Sequence, residues 1–227
     1  MKADRTLPKA APERALQRAG RVVAFPSPWE PARRTAGIGV AIACGAVAMW
    51  YLPLFAAVTR LRLVRHEWPT ASALASALPW SASAVSAGLL SAVALTLAAR
   101  VTAVENTSSP DPSPAQKFFE LVWPVGVVAS AAFSVASMAL HYRTCMTLAE
   151  AGLDLRSGPA GSVLFGFVML DLAAMAVGAA ALFVMSIRLA FGRFHPARPL
   201  PSSLWSVYLR CAACIAAVGF LVSFVAT

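Results

Sequence analysis

The stretch GSVLFGFVMLDLAAMAVGAAALFVMSI, residues Gly161 to Ile187, decides the fold. One ionisable side chain, Asp171, interrupts an otherwise apolar, small or hydroxyl-bearing run of 27 positions. At 1.5 Å rise per residue, about 20 such residues carry a helix across roughly 30 Å of hydrocarbon. Lipid offers the backbone no hydrogen-bond partners, so a helix that bonds to itself is the form such a run takes. Four further stretches read the same way: about Thr35 to Thr59, Leu74 to Ala99, Phe118 to Leu140 and Leu204 to Ala226. Strands of about ten residues alternating polar and apolar, the signature of a membrane barrel, do not appear. The expected fold is therefore all-α, a polytopic bundle of five transmembrane helices over residues 35–227, preceded by a tail over residues 1–34.

Composition agrees. Of 227 residues, 59% are hydrophobic and 13% charged, and the mean hydropathy is +0.68. Soluble domains carry roughly 45–50% apolar and about 25% charged residues. These values exclude an ordinary soluble enzyme and a disordered chain. The net charge of +9 does not imply nucleic-acid binding, because the basic residues gather between apolar blocks, as in membrane proteins. Four cysteines are too few for a disulfide scaffold.

The tail holds five prolines and eight basic residues, Lys2, Arg5, Lys9, Arg14, Arg18, Arg21, Arg33 and Arg34. No short apolar core with a small-residue cleavage site follows the first charges, so a cleaved signal peptide is not expected. The tail reads as a solvated segment near an anionic surface, serving as a topology signal. Counting Lys and Arg on alternate sides gives 8, 2 and 3 on one face, thirteen in all, against 3 and 2, five in all, on the other. The excess places the N-terminus inside and the C-terminus outside. Arg60, Arg62 and Arg65 then form a basic cluster on the outer side, against that rule.

Within the spans, Gly, Ala and Ser let helices approach closely, and Pro53, Pro79 and Pro124 should bend or cap them. Asp171 lies ten residues into the fourth stretch, where a charge costs about 2.5–3.5 kcal/mol on insertion scales. Arg210 is its expected partner, across a depth difference of about 6 Å that an extended Arg bridges. Such a pair serves as a structural bridge or as an ion relay. Ser130, Ser134 and Ser137 follow i, i+4, i+7 spacing and share one face, extended outward to His141 and inward toward Glu120. That face makes helix contacts or, alternatively, lines a water path or a lipid headgroup. Cys211 and Cys214 form a Cys-x-x-Cys beside Arg210, readable as packing residues or as a thiol redox pair. The three histidines, His66, His141 and His195, fall at loops or span ends and do not combine into a metal or haem site. No catalytic motif, cofactor or metal site is expected.

From about Gly37 to Ala226 the features come in a definite order. A small-residue first helix leads through Arg60 to Arg65 into Trp68-Pro69. Leu78-Pro79 opens a Ser-rich helix ending in Ala99-Arg100. The third helix ends near Tyr142, and Gly152-Leu153-Asp154-Leu155-Arg156-Ser157-Gly158 matches a Gly-Leu-x-Leu-x-Ser-Gly loop. Gly161 to Phe167 opens the next helix and Gly192-Arg193-Phe194 forms the last loop. This order resembles the five-helix bacterial form of haem-copper oxidase subunit III. The intramembrane acid of the family's first helix falls at Cys44-Gly45, and its His-Gly-x-His falls on Val168 to Asp171. The resemblance implies an accessory subunit without redox cofactor or chemistry of its own. It would dock beside a larger catalytic membrane subunit, contact lipids and sit multi-pass in a bacterial inner membrane. The alternative is an ion- or solute-coupled transporter built on Asp171, Arg210 and the serine stripe.

Overall fold

The computed structural model describes the backbone of residues 30–65, 68–105, 114–191 and 200–225. Side chains are described within those ranges except at 30–34, 64–65, 101–105, 114–121 and 200–201. Among the described residues all regular structure is helical. Five helices are long and apolar enough to cross a membrane: α1 Glu30–Arg60, α2 Leu78–Glu105, α3 Pro114–Glu150, α4 Pro159–Ala190 and α5 Leu200–Phe220. A π-helical turn follows α1 at Leu61–Arg65, another follows α5 at Leu221–Val225, and a single turn Ala71–Leu74 precedes α2.

The boundaries move in instructive places. The α2 run was expected from Leu74, but the chain breaks after that turn and restarts at Leu78, with Pro79 in the first turn, where its missing N–H costs nothing. Pro53 and Pro124 fall inside α1 and α3. The largest difference is in α3, which continues ten residues beyond the expected end at Leu140, to Glu150. Hydropathy fades across His141-Tyr142-Arg143-Thr144, yet His141 and Thr144 point inward and are buried.

A Gly cap ends α3. Gly152 adopts φ 75°, which lets the Leu153 N–H reach the Leu148 carbonyl at 2.8 Å and the Gly152 N–H reach that of Ala149 at 3.0 Å. Leu148 and Leu153 pack together beneath it. Asp154 then accepts the Arg156 N–H at 2.9 Å, Ser157 donates to the Asp154 carbonyl at 2.7 Å, and Gly158 at φ 116° turns the chain into α4.

The interior is built of layers of small residues. A Cβ on Gly126 of α3 would lie 2.7 Å from Ala98 Cβ and 3.3 Å from the Ala94 carbonyl, both on α2. Only glycine allows that approach, and close backbone packing is what holds helices together in lipid. Ala92, Leu95 and Ala98 of α2, Trp123 and Val127 of α3, Met175 and Leu182 of α4, and Leu209 and Ala213 of α5 form the main cluster.

Candidate functional site

Among the described residues, two groups of polar side chains inside the bundle correspond to the candidates read from the sequence. The first is the serine stripe. Ser130, Ser134 and Ser137 are fully buried against α2. The Ser91 hydroxyl donates to the Ser130 carbonyl and the Ser130 hydroxyl donates back to that of Ser91, both at 2.9 Å. Ser134 Oγ lies 2.7 Å from Ser91 Oγ, and with the Ser91 proton already used it is the donor. The Ser137 hydroxyl donates to the Ala84 carbonyl at 2.8 Å. One set of hydroxyl protons thus satisfies the whole stripe, and the antiparallel α2–α3 pair is fastened along about two turns. Glu120 lies in α3, but its side chain falls outside the described residues.

The second group centres on Asp171. The expected partner was Arg210, and the structure does not bring the two together. Arg210 is exposed and gives its Nε–H to the Ser206 carbonyl of its own helix at 3.2 Å. Its neighbours Leu209, Ala212 and Ala213 face the core, which turns position 210 outward. Depth along the membrane normal allowed the pair; the helix face forbids it. Asp171, 6% exposed, instead accepts a hydrogen bond from the Tyr51 hydroxyl of α1. Tyr51 is itself buried, its ring 5.9 Å from that of Phe167, which packs edge-on to Phe55 at 5.3 Å. Gly219 of α5 makes room for these rings, since a Cβ there would lie 3.3 Å from Phe167.

Tyr51 belongs to a seam that attaches α1. Cys44, Val47, Tyr51, Phe55, Val58 and Arg62 recur at spacings of three and four, one face of a helix. Cys44 and Val47 pack against the main core cluster. Val58 is buried among α4 and α5 side chains. Arg62 donates from Nη2 to the Ser223 carbonyl at 3.2 Å, where Trp68 Nε1 also donates at 3.3 Å, and the guanidinium stacks 4.7 Å from the Trp68 ring centroid. A cation on the carbonyls of the π-helical turn that continues α5 is favourable because the last carbonyls of a helix lack helical partners and carry the negative end of the dipole. One member of the basic cluster that fits the charge rule poorly is thus a helix cap. On the other side α1 turns Ile42, Met49, Trp50 and Leu52 outward. A groove of about 450 Å³ runs beside it, lined by Trp50, Pro53, Leu54, Gly166, Met169, Leu170 and Ala173.

His141 was expected at the outer end of a span. The continuation of α3 puts it nine residues inside the helix, 1% exposed. Cys211 is half-buried and Cys214 exposed, both as thiols. His66 and His195 lie outside the described residues. Among the described residues no three His, Cys, Asp or Glu side chains gather as for a metal ion. The sequence signal for Tyr51 was available in the α1 seam, as the one phenol in mid-span on the face that carries Phe55 and Val58.

No protein-family model and no curated protein matches this chain.

Proposed function

We propose that the chain is a non-catalytic accessory subunit of a larger membrane complex, docking beside a catalytic subunit of the haem-copper oxidase type. The support for the complex's identity is the ordered resemblance from Gly37 to Ala226. The observation that carries the accessory role is α1, which is tied to its neighbours by one seam while its opposite face, with Met49, Trp50 and Leu52, is left to the surroundings. In this reading the N-terminus is cytoplasmic, the C-terminus faces outward, and the protein lies multi-pass in a bacterial inner membrane among lipids.

The transport alternative asks Asp171, Arg210 and the serine stripe to exchange partners with a solute. The serines are engaged between α2 and α3, Asp171 is engaged by Tyr51, and Arg210 faces away. That distribution favours the accessory reading. Purification of the tagged protein in gentle detergent, with mass spectrometry of co-purifying chains and a visible absorption spectrum, tests it. Haem bands together with a large multi-span subunit are the expected result. A colourless, solitary protein overturns the proposal.

A further inference from the structure

Both ring nitrogens of His141 are buried and neither has a hydrogen-bond partner among the protein atoms. Leaving a buried polar group unpaired costs about 1–3 kcal/mol, so a native interior that keeps one has a use for it. The layers around His141 show what it faces. One turn toward the start of α3, Ser137 meets Met175 of α4 across Gly88, whose Cβ would lie 3.0 Å from Met175 and 3.4 Å from Ser137. One to two turns the other way, Cys145 and Leu148 pack with Val168 and Leu164 of α4. His141 lies midway between Ser137 and Cys145. Asp171 lies midway between Val168 and Met175. Both are buried, and the register set by those two flanking contacts of antiparallel helices puts them at one level.

We propose that His141 and Asp171 form a buried site for water and a single shared proton, with Tyr51 as the carboxyl's second partner. The water donates to or accepts from the imidazole on one side and the carboxyl on the other, giving a chain from α1 through α4 to α3. The proton balance is simple. With the proton on Asp171, both carboxylic acid and imidazole are neutral. With the proton on His141, an imidazolium faces a carboxylate. The layer has zero net charge in both states, so the proton moves without leaving an uncompensated charge in hydrocarbon, which is the costly condition there. The other ionisable side chains nearby are Cys145, one turn along α3, and Tyr208 of α5, whose hydroxyl donates to the Ala174 carbonyl at 3.1 Å. At this level α2 contributes Ser81 and Ala84 and no ionisable side chain. This inference concerns the chain alone and does not depend on the accessory role.

The test uses the full chain in lipid bilayers, ¹⁵N-labelled at histidine, with the His141 signals assigned by their loss in His141→Phe. The expected result has three parts. Magnetisation passes from water to the His141 ring protons. Asp171→Asn moves the ring nitrogen signals, and Tyr51→Phe moves them less. The infrared carboxyl vibrations of Asp171, assigned by their loss in Asp171→Asn, shift in His141→Phe. Ring signals that are identical in wild type and Asp171→Asn overturn the proposal, as does a ring that receives no magnetisation from water. The Asp171→Asn reading leaves the histidine in place, so a failure of His141→Phe to fold does not remove the test.

Discussion

The α2–α3 pair and the α1 seam solve the same problem by opposite means. Both must hold helices together in a medium as apolar as their side chains. Between α2 and α3 the side chains are small, the backbones approach to the limit set by Gly126 and Ala98, and serine hydroxyls bond directly to carbonyls across the interface. The α1 seam reaches across with large side chains: a phenol to a carboxyl, a guanidinium to a carbonyl, and aromatic rings in between. Short reach gives many partners per turn and little freedom. Long reach gives two polar ties, at Tyr51 and Arg62, about 11 residues or some 16 Å of helix apart at 1.5 Å each, and leaves most of α1 uncovered. The first arrangement is a rigid core, and the second suits a helix that finishes its packing against something else.

Substitutions that break this contrast should differ in size. The largest loss is expected from Gly126→Leu, because the atoms it meets are backbone and Cβ atoms of α2 that cannot step aside. Overpacking typically costs about 1–3 kcal/mol and occasionally more, and this change should fall at the upper end, measurable by denaturant unfolding in mixed micelles. The matching change Gly178→Ala should cost less, since its new Cβ meets the flexible end of Leu209. Next comes Tyr51→Phe, which keeps the ring packing but strips Asp171 of its donor, at about 1–3 kcal/mol. Its readout should be local, with faster hydrogen exchange in α1 and little change in α2 or α3. Ser91→Ala removes a hydroxyl from two interhelical bonds. At about 0.6 kcal/mol per such bond in a membrane protein, a loss near 1 kcal/mol is expected. Smallest is Arg62→Gln, which gives up the stacking on Trp68 for about 0.5–1 kcal/mol and should loosen the π-helical turn Leu221–Val225 after α5, read by exchange at Ser223.

The sequence made the spans legible because hydropathy over 20 residues is a strong signal. It also marked Asp171 and the serine stripe, whose spacing alone assigns Ser130, Ser134 and Ser137 to one face. What it could not supply was lateral position. Asp171 and Arg210 were compatible in depth, yet the residues flanking Arg210 turn it outward, and the true partner Tyr51 lies 120 positions away on α1. The end of α3 was misplaced for a related reason. His141 and Thr144 look like the polar margin of a span, but the same polarity faces inward and is buried. A hydropathy average does not distinguish a polar residue at a helix end from one on the interior face.

Asp171 anchors α1 through Tyr51 and is not half of an ion pair with Arg210. A pair of double-mutant cycles tests this anchoring directly, Tyr51→Phe with Asp171→Asn and Arg210→Gln with Asp171→Asn, each read as unfolding free energy in the same mixed micelles. A coupling of about 0.5 kcal/mol or more is expected in the first cycle and additive effects in the second. Additivity in the first cycle, with coupling between Asp171 and Arg210 in the second, would contradict the anchoring.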